Sequence, residues 1–179
     1  PHQKSRVINM KSKQIKVMAV TAILMAFNIV LSSFGVPVPG GHMYLNDVII
    51  CTAAILLNPF GAFMVGGVGA FIGDLLFCPR PMSVPHVTHG LQAVVISLAT
   101  RRLGKDRPSG SAIGVAIGAV IMVVGYSLGR AFIYSTPEYA LLKLPFQIAQ
   151  AVVGAVVGWL LCWKCKIAEL YEKRFGIMS

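Results

Sequence analysis

The sequence predicts an all-α membrane protein, a single domain of six transmembrane helices with both termini in the cytoplasm. Three observations carry that expectation. Hydrophobic residues make up 56% of the chain and charged residues 12%, about half the charged share of an ordinary soluble domain. Apolar runs recur along the chain, separated by proline, glycine and charged breaks. With six spans and an inner N-terminus, all but Arg80, Arg130 and Lys143 of the 16 lysines and arginines fall on the inner side, as topology from positive charge requires.

Residues 1–10 read as a cloning remnant and start, with Pro1 to Asn9 ahead of Met10, and residues 11–179 as the membrane domain. The first span is expected at 15–34. Twenty residues rise about 30 Å, the thickness of the hydrocarbon core. It is also too long for a signal-peptide core, and no A-x-A site follows it. Gly35 to Gly41, with Pro37 and Pro39, reads as a rigid and then flexible loop. The second span, 47–57, is short and stops at Asn58-Pro59-Phe60-Gly61, since proline disfavours helix in the residue before it. The third, 62–77, ends at Cys78-Pro79-Arg80-Pro81. The fourth covers 84–100, the fifth 111–134 and the sixth 139–163, and a charged tail follows from Lys164.

Glycines at Gly110, Gly114 and Gly118, at Gly125 and Gly129, and at Gly154 and Gly158 recur every four residues. Such strips let helices approach closely, and intramolecular packing is the expected use. Gly66, Gly67, Gly69 and Gly73 contain G-x-G inside a membrane helix, where a dinucleotide fingerprint lacks its strand.

Several function classes are excluded. The net charge of +10 sits between apolar runs and marks topology rather than nucleic acid. No P-loop, H-E-x-x-H or G-x-S-x-G occurs. Cys162 and Cys165 form C-x-x-C without evident metal partners, and read as small apolar residues at a helix end.

The chemistry therefore lies in polar groups inside the spans, which are costly there and face a bundle interior or a wet cavity. Lys143, Gln147, Gln150 and Gly154 share one face of the sixth span. Tyr126, Arg130 and Tyr134 share one face of the fifth. His86 and His89 stand together on the fourth, with Gln92 drifting round it. Asp47 opens the second span, Asp74 ends the third, and His42, Tyr44 and Asn46 belong to the first outer loop. All lie at the outer ends. They predict a pocket open to the outside, in which rings stack on a flat solute while amides and carboxylates bond its substituents. A plainer alternative is internal pairing, with Arg130 the partner of a carboxylate.

The order Gly41-His42-Met43-Tyr44-Leu45-Asn46-Asp47, then Leu57-Asn58-Pro59-Phe60-Gly61-Ala62, then Gly66-Gly67-Val68-Gly69-Ala70-Phe71-Ile72-Gly73-Asp74-Leu75-Leu76 resembles the S components of energy-coupling factor (ECF) vitamin transporters. The likeness extends over roughly Lys11 to Lys166. It implies a bacterial multi-pass cell-membrane protein that captures a vitamin and catalyses nothing. It also implies a membrane T subunit and two ABC-type ATPases as partners, with ATP used by those partners and no cofactor or metal in this chain.

A small-residue strip on the first helix would meet the T subunit, and Ala22 and Ala26, extended by Ala19, match it. His89 and Gln92 stand where a frequent version of the family has lysine and glutamate. That departure favours a neutral heteroaromatic solute, hydroxymethylpyrimidine or a pyridoxine-like vitamer. Pantothenate, folate and riboflavin are alternatives, and Arg130 or Lys143 holding a carboxylate would favour pantothenate. Outside the family, a membrane-embedded enzyme would need Asp47, Asp74, His86 and His89 gathered round a metal. A membrane scaffold would use the polar layer only for pairing.

Overall fold

The computed structural model describes residues 2–77, 83–104 and 107–175, without the side chains of residues 2–10 and Ser83. The expected break at Cys78-Pro79-Arg80-Pro81, with its outer cation Arg80, and Lys105 lie outside the described residues.

Helix α1 runs His2–Ser32. It begins well before the expected start at residue 15 and continues through the residues set aside as a remnant. Its apolar part is Lys11–Ser32. The loop that follows is not irregular. Gly35–Val38 (β1) and Gly41–Tyr44 (β2) form a two-stranded antiparallel hairpin, with Gly35 opposite Tyr44 and Val38 opposite Gly41. Gly40 turns it with φ +81°, a backbone region that side-chain-bearing residues avoid. The proline signal there concealed a strand, because prolines are tolerated on the edges of so small a sheet.

Helix α2 (Asn46–Leu56) is the most enclosed part of the bundle, with nine of its eleven residues buried. At about 16 Å it is too short to cross the hydrocarbon core alone. Asn58 caps α3 (Pro59–Phe77), its side chain accepting from the Gly61 N–H at 2.8 Å, with Pro59 in the first turn. Proline suits that position, since its missing N–H would have had no helical partner. Helix α4 is Ser83–Leu103, α5 Pro108–Tyr134 and α6 Pro137–Trp163.

Among the described residues, four helices are long and apolar enough to cross a membrane: Lys11–Ser32, Pro59–Phe77, Pro108–Tyr134 and Pro137–Trp163. Helix α4, with 21 residues, has the length but carries polar residues along it. The charged tail folds as a short amphipathic helix, α7 (Ile167–Phe175), that buries Ala168 and Tyr171. Lys166, with φ 58°, makes the turn into it.

The glycine strips hold the bundle together from within. A methyl group on Gly118 would meet Ile96 at 2.5 Å, and on Gly129 would meet Val84 at the same distance, so α5 lies directly on α4. On Gly154 it would meet Asp47 Cβ at 2.4 Å, so α6 lies on α2. These contacts bring the polar residues of four helices to one end of the molecule.

Candidate functional site

At the hairpin end, all six long helices and the hairpin enclose a cavity of about 550 Å³. That size lies within the usual range for small-molecule sites. Of the expected residues, His42, Asn46, Asp74, His89, Tyr126, Arg130, Tyr134, Gln147 and Gln150 line it. Asp47, Gln92 and His86 do not.

Asp47 and Gln92 lie beneath the wall as its scaffold. Asp47 is 1% exposed, and its two oxygens accept from Gln92 Nε2 at 3.2 Å and Gln150 Nε2 at 2.7 Å. Gln150 in turn accepts from the Tyr44 N–H at 3.0 Å, which fixes β2 to α6. With its amide nitrogen on Asp47, Gln92 must present Oε1 to His89 Nδ1, 2.8 Å away. The network therefore assigns the hydrogen to Nδ1. In the neutral ring Nε2 is left as an acceptor. The His89 ring leans on Tyr126, with centroids 5.1 Å apart, and His89 Nδ1 is also 3.7 Å from Asp47 Oδ1.

His86 is turned away from the cavity. Its Nδ1 donates to the Gly67 carbonyl at 2.9 Å, and its ring sits edge-on between Phe63 and Phe71. The cause is a π-helical turn, Met64–Val68, inside α3. Such a turn disturbs the regular backbone ladder, and side chains serve the affected carbonyls. Asn28 Nδ2 donates to Val65 O at 2.6 Å, and His86 serves Gly67. Two histidines three residues apart look alike in sequence, and the π turn gives them different tasks.

The second π-helical turn, Arg130–Tyr134, ends α5. Arg130 and Tyr134 both face the cavity, with the guanidinium 5.6 Å from the Tyr134 ring centroid. Among the described residues no carboxylate pairs with Arg130. The guanidinium donates to Gly40 O at 2.9 Å, while Lys143 Nζ donates to His42 O.

Ser32, Tyr44, Phe77, Pro85, Ala70, Gly40, Gly41 and Lys143 also line the cavity. The shared face of Lys143 with Gln147 was the signal for Lys143. Ser32 carried no signal, being one hydroxyl at a helix end. Asn46 donates to Ser32 Oγ at 3.3 Å, and its Oδ1 is buried without a partner. Gln147 Nε2 donates to the Met122 sulfur at 3.1 Å. A second groove, of about 730 Å³, lies between α5 and α6 and is almost wholly apolar.

On α1, Ala19, Ala22 and Ala26 are exposed among outward-facing Ile15, Met18, Ile23 and Phe27. Among the described residues, no three His, Cys, Asp or Glu side chains gather as a metal site would need.

A family model described as ECF-type riboflavin transporter, S component, matches residues 12–166. Among solved structures, the S-component for biotin from an ECF-type ABC transporter superposes with a TM-score of 0.63 at 18% identity. The match covers 89% of this chain and 97% of that one, and speaks for the shared fold. No curated protein matches.

Proposed function

We propose, because the chain belongs to the family of ECF-type riboflavin transporter S components, that its cavity captures a small heteroaromatic vitamin for ATP-driven uptake. Membership makes the protein a multi-pass integral membrane subunit of vitamin transport and not an enzyme. S components work with a module of T and ATPase subunits. For this chain we take that module to be one membrane T subunit and two ABC-type ATPases that use the ATP.

The observation that carries the reading is the 550 Å³ cavity lined by aromatic and hydrogen-bonding side chains from six helices and the hairpin. A solute ring would pack against Tyr126 and His89, while its polar substituents meet Asn46, Gln147 and Gln150. For the part of the solute against that wall, a single ring of the hydroxymethylpyrimidine or pyridoxine kind is the first reading, since His89 and Gln92 bring no fixed charge there. Riboflavin is the second, favoured by the description of the matching family.

The hairpin end is taken to face outward and the α7 end inward, so that α2 and α4 complete six spans. The strip Ala19, Ala22 and Ala26 is taken as the T-subunit contact, because small residues let a foreign helix pack closely in lipid.

The test is calorimetry of the detergent-purified chain, without ATP, against hydroxymethylpyrimidine, pyridoxine, riboflavin, pantothenate, folate and biotin. One of them should bind at about one per chain. Silence across the whole panel would overturn the reading. Orientation is tested in a Cys78→Ser background. An impermeant maleimide should label exposed Cys165 only after the membrane is opened.

A further inference from the structure

Arg130 and Lys143 enter the cavity from different helices and converge on one point. A methyl group built on Gly41 would stand 3.7 Å from Arg130 Nη1 and 3.7 Å from Lys143 Nζ. Lys143 is 2% exposed. Among the described residues no carboxylate oxygen comes within 4.0 Å of either cation. Among the described residues each makes one hydrogen bond, and both acceptors are backbone carbonyls of the hairpin, Gly40 O and His42 O. A guanidinium has five N–H donors and an ammonium three, so most of this donor capacity is unused by the described residues. Two neighbouring cations withdrawn from water without a counter-charge are unfavourable. A fold that needed only to tie down its hairpin would do so with neutral donors.

We infer that the captured solute carries an anionic substituent, a carboxylate or a phosphate ester, seated between Arg130 and Lys143 beneath the hairpin. The inference rests on the reading of this cavity as the vitamin site. The wall around His89 and Tyr126 receives the ring, and the cations receive the charged arm. Charge-assisted bonds of this kind are short and about twice as strong as neutral ones, so the charged arm governs which member of a chemical pair is retained.

The experiment compares matched pairs that differ in one charge, titrated into the full chain in detergent. Riboflavin is set against its 5′-phosphate, pyridoxine against its 5′-phosphate, nicotinamide against nicotinic acid, and pantothenol against pantothenate. The expected result is that in at least one pair the anionic member binds tenfold or more tighter, on the order of 1.4 kcal/mol. Arg130→Gln or Lys143→Gln should reduce that preference to within about threefold, the anionic member losing more affinity than the neutral one. If either variant fails to fold, wild-type titrations at rising ionic strength decide instead. Salt should weaken the anionic member and spare the neutral one.

Neutral members binding as tightly as their anionic partners would overturn this inference and leave the vitamin site standing. So would Arg130→Gln weakening both members equally. No binding by any member of any pair, together with silence in the vitamin panel, would overturn both.

Discussion

The two ends of the bundle use the same basic residue types for opposite purposes. At the α7 end, Lys164, Lys166, Lys173 and Arg174 stand exposed, and an ion pair there, Lys173 with Glu169 at 2.6 Å, has side chains 72% and 50% exposed. At the hairpin end, Lys143 is buried, Arg130 is half-buried, and both bond to the backbone. The solvated charges cost little and can report topology. The enclosed ones cost much and need a reason inside the cavity. A sequence count treats them alike, and burial separates them.

The comparison is broken most severely from beneath. Asp47→Ala removes the carboxylate that orders both Gln92 and Gln150. Two hydrogen bonds to a charged acceptor are worth roughly 3 kcal/mol together, so solute affinity measured by calorimetry should fall by about 100-fold. Gly40→Ala comes next. It forces a side chain into positive φ, at a cost of about 1–2 kcal/mol, and sets that side chain 3.1 Å from Lys143 Cβ. The hairpin should lift, with affinity down about tenfold and helical circular dichroism unchanged. Tyr126→Ala, which removes the ring contact with His89, should cost about 1 kcal/mol, or fivefold in affinity.

The smallest effect belongs to the other end. Lys173→Ala should leave affinity unchanged and the melting temperature within error, as expected for a solvated pair. The hydrogen bond and charge of Lys173 hold the Glu169 carboxyl below its usual range. Its contribution is therefore present above that range and lost as pH falls through the folded value. A melting series through acid pH should show no step from this pair. A marked step would mean that the α7 end is less solvated than the comparison holds.

The sequence disclosed the helices, because membrane helices satisfy their backbone locally and announce themselves by length and apolarity. It also disclosed the polar layer, through four-residue spacing on α5 and α6. Asp47 and Gln92 were placed in the right layer but at the wrong depth, since spacing says which face a residue shares and not whether a neighbour stands in front of it. The separation of His86 from His89 depended on a π turn in the neighbouring helix α3, in contact with His86 and invisible in composition. The hairpin was hidden behind Pro37 and Pro39. The α7 helix was hidden by its charge, because only one narrow face of nine residues is buried.

Arg130 and Lys143 each give one hydrogen to the hairpin, through Gly40 O and His42 O. The same two side chains that would receive a guest's charge thus also pin the strap above it. Were they to hold both at once, an occupied vestibule would be a stiffer one, and amide exchange across Gly35–Tyr44 would slow on loading.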